Sequence, residues 1–483
     1  MNISYRIIII YLSSFICTIY FTLFYFDVAI SITFSCLLVL AYFYLALKNY
    51  RLKYIGLLHL LSLFVLCLPF IHLIPYIWFD FESRPVEMWG LDANEYMYSY
   101  DIISLVSSFA VVATVAWVLP IYILNYEIKQ NNGLKPINTK SDIRTLNLTS
   151  WFALMFIGVY FSVLSAPSNT ILESAYTHSS SVSRDINFSS LWFVSYAILT
   201  FVYVDSFLEK NLVVRKLKYM FVIGSLVYII IFLQFLRGDR ESLPWLLGLI
   251  IAFYKFTRTY RLGREKPTSK MIPILIFLLF STSILVAIVR SVSAGATLSE
   301  MVSIVVNFFN AETFDFNSIA KGTWTAALLT PLSVAGDHVL GISNYNYGID
   351  YLNILASVPP GFIADALDYV RPLGLGRGPA HEMRYGLGGT HITVLPFRSF
   401  GLIGIFFCIS TLSLLCLRIE KKVSKKFSVY VLSLQVLYIA ILPHFFWYGE
   451  KYFINFCIIT GLVATVYAIL NAPQHLRINQ KKE

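Results

Sequence analysis

Long apolar runs alternate with short polar segments along most of this chain. A helix that crosses a membrane needs about 20 mostly apolar residues. By that measure the pattern predicts an all-α, polytopic integral membrane protein with about twelve transmembrane helices. The predicted spans are 7–26, 28–47, 55–79, 102–126, 146–165, 190–208, 219–236, 241–257, 271–289, 397–417, 427–446 and 452–471.

Composition points to the same class of protein. Of the 483 residues, 57% are hydrophobic and 13% are charged, whereas a soluble globular chain has about 45–50% apolar and about 25% charged residues. A soluble enzyme and a nucleic-acid-binding protein are therefore excluded, although the net charge is +10. The six cysteines lie in apolar runs, which predicts free buried thiols and no disulfide framework.

The basic residues predict an orientation. With the N-terminus in the cytoplasm, 26 of the 37 lysines and arginines fall in cytoplasmic segments, as the positive-inside rule requires. Both termini are then cytoplasmic. The segment 291–396 becomes one large loop on the opposite face, where we expect any chemistry to occur.

The predicted organisation has three parts, and the middle one differs from the others. Residues 1–290 hold the first nine spans, 291–396 form the large loop, and 397–483 hold the last three spans and a cytoplasmic tail. Long loops such as 291–396 are usually functional. The apolar stretches of this loop are too short or too interrupted to cross a membrane, so we expect them at the membrane interface or against the mouth of the helical bundle. They are Met301–Phe309, Trp324–Val334 and Tyr351–Val358.

Two arginines mark a first candidate anion site. Arg237 and Arg240 lie in a tight turn between two predicted spans, and Pro244 follows in the first turn of the second helix. A helix N-terminus attracts anions, and guanidinium groups suit phosphate oxygens. The alternative is that Arg237 reaches lipid headgroups and that Arg240 pairs with a neighbouring carboxylate.

A second group of arginines closes the large loop. Glycines are frequent between Arg371 and His391, so the backbone there could approach a ligand closely. The alternative is a flexible loop whose arginines pair with local carboxylates. Arg290, at the end of the ninth span, is a further anion candidate, with contact to lipid headgroups as its alternative. The phosphate-binding candidates of this region are Arg290, Arg371, Arg377, Arg384 and Arg398.

His391 and Glu382 are the candidate general bases, because either side chain could take a proton from an attacking hydroxyl. Each has a structural alternative as an ordinary hydrogen-bonded loop residue. Loop tyrosines could stack on sugar rings. We expect no metal site and no cofactor, since histidines and carboxylates lack ligand spacing. The tyrosines are Tyr345, Tyr347, Tyr351 and Tyr369.

Three short motifs lie within this predicted topology. They are Arg237-Gly238-x-Arg240, Tyr347-Gly348-x-x-Tyr351-Leu running on to Val358-Pro359-Pro360, and Gly388-Gly389-x-His391 leading through Phe400-Gly401-x-x-Gly404. With these motifs the chain resembles bacterial O-antigen (oligosaccharide repeat-unit) polymerases of the Wzy type. Related sequences often carry an acidic residue in the stretch corresponding to His391–Arg398, and none is present here, which favours the arginines and His391 as the functional residues.

The resemblance implies a GT-C-like glycosyltransferase of the bacterial inner membrane with a periplasmic active site. It would transfer a growing glycan from undecaprenyl pyrophosphate to the non-reducing end of a lipid-linked repeat unit in lipopolysaccharide biosynthesis. Its partners would be undecaprenyl-pyrophosphate-linked oligosaccharide, membrane lipids and a chain-length regulator, with no nucleic acid. His391, Arg237 and Arg240 are the expected catalytic residues.

Two other functions stay open at this point. An O-antigen ligase would use a similar donor and deliver the finished polymer to lipid A-core. A flippase would export the same lipid-linked unit unchanged. Twelve spans suit a flippase, but such transporters are typically built from repeated halves, and no internal repeat is present in the sequence.

Overall fold

A computed structural model describes residues 16, 28–48, 56–73, 100–130, 145–164, 191–229, 242–255, 323–356, 367, 391–425 and 428–472. Within these ranges the chain is all-helical and contains no β-strand. The α-helices are α1 (Val28–Lys48), α2 (Gly56–Cys67), α3 (Tyr100–Gln130), α4 (Leu148–Leu164), α5 (Leu191–Leu208), α6 (Leu212–Tyr228), α7 (Ser242–Lys255), α8 (Thr323–Val339), α9 (Ile349–Ala356), α10 (Val394–Lys425), α11 (Val429–Tyr448) and α12 (Glu450–Leu470).

Where the structure describes the predicted spans, each of them contains helix, although α2 covers only the first part of span 55–79. The predicted span 271–289, and span 7–26 apart from residue 16, lie outside the described residues. One boundary differs clearly, because α6 begins at Leu212 and not near 219. Asn211 caps this helix by accepting hydrogen bonds from the backbone N–H groups of Val213 and Val214, which is the usual function of an N-cap asparagine.

In the part of the chain that the structure describes, four helical segments are long and apolar enough to cross a membrane: Tyr100–Ile121, Val394–Glu420, Val429–Trp447 and Tyr452–Leu470. Shorter apolar helices accompany them, including Leu148–Leu164. Helical structure and apolar length together confirm a helical membrane protein.

The helices form two compact units, which we describe separately. The first contains α1, α2, α3, α8, α9 and most of α10. Its core is polar as well as apolar, because Trp117 Nε1 donates to the carbonyl of His59 at 3.0 Å and Ser413 Oγ donates to the carbonyl of Trp117 at 2.6 Å. Glu420 of α10 accepts hydrogen bonds from two backbone N–H groups in the first turn of α2. These bonds satisfy helix-end donors that would otherwise be unpaired.

The large loop contributes two helices to this first unit. In α8, Ala327, Leu328 and Ala335 are completely or almost completely buried, and the helix packs against α3 and the 3-10 turn Leu68–Leu73. Most of the stretch Trp324–Val334 thus lies in a helix that packs within the first unit, and its expected position at the mouth of the bundle stays a prediction. The stretch Met301–Phe309 lies outside the described residues.

The second unit is built on close helix contacts. In α4 and α5, Ser195 Oγ donates to the carbonyl of Gly158 at 2.7 Å. In α7, a methyl group added at Gly248 would lie 2.9 Å from the carbonyl oxygen of Val436. Small residues that let backbones approach are typical of helix packing in membranes.

A buried ion cluster connects helices α5, α6 and α12 and the segment before α4 in the second unit through one lysine side chain and its acceptors. Lys218 Nζ lies 2.8 Å from both Asp205 Oδ2 and Glu209 Oε2, and it donates to the carbonyl of Leu146 at 3.2 Å. Asp205 also accepts a hydrogen bond from the hydroxyl of Tyr467 in α12. Three acceptors use all three ammonium protons of Lys218, so we assign this cluster to stability.

Candidate functional site

Of the predicted site residues, the structure describes His391 and Arg398. The other predicted site residues lie outside the described residues: Arg237, Arg240, Arg290, Arg371, Arg377 and Arg384. The alternative base Glu382 and the loop residue Tyr369 also lie outside them. The site is therefore built here around the beginning of α10, where both described candidates lie.

Helix α10 breaks near its beginning. Phe400 and Gly401 have non-helical backbone angles, and Gly401 has φ +65°. A side chain at Gly401 would also lie 2.9 Å from the hydroxyl of Tyr345, and one at Gly404 would collide with the carbonyl of Pro396. Because only glycine tolerates these conditions at low cost, the Phe400-Gly401-x-x-Gly404 motif encodes a kink in the helix.

The segment before α9 binds to this kink. The backbone N–H of Asn346 donates to the carbonyl of Arg398 at 2.9 Å, and Ser399 Oγ donates to Asn346 Oδ1 at 3.2 Å. Gly348, with φ +91°, brings its backbone next to the ring of Phe400. Two motifs far apart in the sequence thus meet at one place.

An ion pair completes what we call the kink cluster, which consists of Asn346, Asp350, Arg398 and Ser399. Arg398 Nε lies 3.4 Å from Asp350 Oδ2, and the Arg398 side chain is 25% exposed. Asn346 Nδ2 also donates to this carboxylate oxygen. Among the described residues Asp350 is the acidic partner of Arg398, and this ion pair uses Nε of the guanidinium.

His391 lies close to the kink cluster in sequence but is deeply buried. It is 1% exposed. Its Nε2 is 3.3 Å from the carbonyl of Leu66, and its Nδ1 is 2.8 Å from Thr393 Oγ1. A carbonyl can only accept, so Nε2 carries the proton and Nδ1 accepts from Thr393.

Burial lowers the pKa of His391 to about 4, and the bond to the Leu66 carbonyl only partly offsets this effect. The imidazole is therefore neutral at physiological pH. Its assignment as a proton acceptor stays a prediction, and in this arrangement it requires Nδ1 to leave Thr393.

Aromatic rings surround the kink cluster on the side of α8. The ring of His338 lies 5.0 Å from that of Tyr345 and 5.4 Å from that of Phe397. Tyr347 is 78% exposed and has φ +49°, a conformation that costs a tyrosine free energy. Its exposed ring is available for the stacking on sugars that the sequence suggests.

Glu450 is a residue of this region that sequence analysis did not select. It is the first residue of α12 and follows Gly449, whose φ is +94°. Both carboxylate oxygens are shielded from solvent, and no described residue forms a well-aligned hydrogen bond with them. The signal in the sequence was a single acidic residue in a short link between two apolar runs, which also suits an ordinary connection.

The groups near Glu450 belong to α9 and α10. The hydroxyl of Tyr351 lies 4.0 Å from Cys408 Sγ, and it is close enough to Glu450 to affect the pKa of that carboxyl. Burial, with a smaller contribution from the charge of Asp350, raises the pKa of Glu450 to about 8, although the backbone N–H of Glu450 and the Tyr351 hydroxyl act to lower it. Burial and the same carboxyl raise the pKa of Tyr351.

The fold and the site define a helical membrane protein with a charged cluster at a helix kink. In the described part of the chain, no group of three or more histidines, cysteines or carboxylates could hold a metal ion. No protein-family model, curated protein or solved structure gives a significant match to this chain.

Proposed function

We propose that this protein is an O-antigen polymerase, a glycosyltransferase that moves a growing glycan from undecaprenyl pyrophosphate to a lipid-linked repeat unit. The observation that supports this most directly is the kink cluster, where two of the motifs behind the resemblance meet around Arg398. A partly exposed arginine next to apolar helices suits a phosphate group that is attached to a lipid.

In the proposed reaction, the acceptor hydroxyl attacks the anomeric carbon of the donor, and the bond from that carbon to the pyrophosphate oxygen breaks. Arg398 binds the pyrophosphate and stabilises the negative charge that develops on it. Such preorganised charges contribute several kcal/mol to catalysis. Further arginines of the proposed site are Arg237, Arg240, Arg290, Arg371, Arg377 and Arg384.

We place the reaction on the periplasmic face of the bacterial inner membrane, in a GT-C-like arrangement of about twelve spans. The excess of basic residues in the other loops supports this side. Apolar surface next to the site would hold the lipid carriers. In α10, Phe400, Ile403 and Phe407 are about half exposed and recur at helical spacing.

Reconstitution tests the proposed function. Purified protein in liposomes is incubated with undecaprenyl-pyrophosphate-linked repeat units, and the glycans are separated by size. A ladder of longer glycans supports a polymerase. Transfer to added lipid A-core without lengthening indicates a ligase, and movement of unchanged units across the bilayer indicates a flippase.

Arg398→Lys tests the part played by the guanidinium. Lysine keeps the charge but loses the planar fork that binds phosphate with two nitrogens, so we expect glycan lengthening to fall at least about tenfold, the equivalent of about 1.4 kcal/mol. Arg418→Lys is the matched control, because Arg418 is exposed further along the same helix. Equal activity of the two variants would contradict a phosphate-binding Arg398.

A further inference from the structure

We propose that Glu450 is the general base of the transfer, accepting the proton of the acceptor hydroxyl as that oxygen attacks the anomeric carbon. This inference rests on the proposed function. It assigns the base to a residue outside the three sequence motifs, brought to the first unit by the start of α12.

The first argument is the state of the carboxylate. Both oxygens of Glu450 are shielded from solvent and lack a well-aligned hydrogen bond from the described residues, and the Tyr351 hydroxyl and the backbone N–H of Glu450 interact with them only weakly. Burying a carboxyl group without partners is costly, and unsatisfied buried groups in folded proteins call for an explanation. A hydrogen-bond acceptor reserved for a substrate hydroxyl provides that explanation.

The second argument is the position of Glu450 relative to the anion site. Asp350 forms the ion pair with Arg398 at 3.4 Å, and its charge also raises the pKa of Glu450. Asp350 therefore contacts the proposed phosphate-binding group and is close enough to the proposed base for its charge to act on it. A transfer reaction needs these two functions on either side of the reacting carbon, and the kink of α10 together with α9 brings them into one region.

The third argument concerns protonation. The groups that affect the pKa of Glu450 are its own backbone N–H and the side chains of Tyr351 and Asp350 of α9, and Cys408 of α10 lies beside the Tyr351 hydroxyl. With a pKa of about 8, raised mainly by burial, a minor fraction of the carboxyl is ionised at pH 7. A general base works best when its pKa is near the working pH.

The balance of the step is complete without a co-reactant. The acceptor oxygen forms a bond to the anomeric carbon, and the electron pair of the breaking bond goes to the pyrophosphate oxygen near Arg398. The acceptor proton goes to Glu450, which later releases it to water. His391 is not required for this step, since both of its ring nitrogens are already bonded within the protein.

The experiment compares Glu450→Gln and Glu450→Asp with the intact protein in the liposome assay. Glutamine has the same shape but cannot take the proton, so we expect a loss of about 100-fold or more; aspartate should retain a measurable part of the rate. Asp101→Asn is the matched control, because Asp101 also lies in the first turn of a helix but is exposed. It should keep the full rate.

The pH profile provides a second measurement that does not depend on the folding of any variant. Because the base must be ionised, the rate of the intact protein should rise with pH through about 8, and Glu450→Gln should lose this rise. A flat profile between pH 6 and 9, or a normal rate for Glu450→Gln, overturns the inference about Glu450. As long as the intact protein lengthens glycans, the proposed function still stands. If the intact protein never lengthens glycans, the proposed function itself is overturned.

Discussion

Lys218 is a charged side chain with no exposed surface, and its partners account for its burial. Its ammonium group contacts two carboxylates and a carbonyl, and it lies 5.9 Å from the centre of the Trp151 ring. Removing one partner of a buried ion pair is far more damaging than exchanging the whole pair for apolar residues, because a buried charge is left without compensation.

We therefore predict that Lys218→Met lowers the free energy of unfolding by about 3–5 kcal/mol. Lys216→Met is the control, because Lys216 lies on the same helix and is exposed; it should change the free energy by less than about 0.5 kcal/mol. Unfolding in mixed micelles, followed by the helical circular dichroism signal, measures both. Similar losses in the two variants would show that the ion cluster has no special importance.

Among the helices, the kink of α10 has the greatest effect on the geometry of the candidate site. It turns the backbone at Phe400 and Gly401, next to the carbonyl of Arg398 that accepts a hydrogen bond from the backbone N–H of Asn346. Sharp kinks have identifiable causes. Here the cause is Gly401, whose backbone angle and close contact with Tyr345 both exclude a larger residue.

We predict that Gly401→Ala destabilises the protein by about 1–3 kcal/mol and weakens glycan lengthening, because the strain falls on the backbone next to Arg398. In α12, a side chain added at Gly461 would have no atom within 4 Å, so Gly461→Ala should be neutral or stabilising by up to about 1 kcal/mol. Thermal unfolding and the liposome assay measure the two effects. Unchanged activity in Gly401→Ala would mean that the kink does not position the site.

Hydrophobic runs predicted the helices well because a helix in a membrane must be long and apolar throughout. They could not predict where a helix breaks, because the apolar sequence of α10, with its glycines, is compatible with a straight helix and with a kinked one. Glycine by itself permits both arrangements. The end of an α-helix before Pro69 was also not predicted. The predicted span 55–79 begins with α2, which is followed by the 3-10 turn Leu68–Leu73.

The site was predictable only in part, because its residues come from separate elements. Arg398 was selected from local charge, but its pairing with Asp350 depends on how α9 packs against α10. Glu450 is about 50 residues further along the chain, and no periodicity connects it with Arg398. Burial, which gives Glu450 its altered pKa, is likewise a property of the packed structure alone.

For the whole molecule, the distribution of charge predicts that both termini face the cytoplasm and that the large loop faces the periplasm. We expect green fluorescent protein fused after residue 483 to fluoresce and alkaline phosphatase at the same position to be inactive. Phosphatase fused after residue 345 should be active, because it would reach the periplasm. The reverse pattern of activities would place the kink cluster on the cytoplasmic side and contradict a periplasmic transfer reaction.

The single residue Gly449 that joins α11 to α12 has a consequence for how this protein can change during evolution. Gly449 has φ +94°, a backbone conformation that is available at low cost only to glycine. A side chain at this position would strain the turn that places Glu450 at the beginning of α12. Sequence divergence at this link is therefore expected to conserve glycine, even where the neighbouring apolar residues exchange freely.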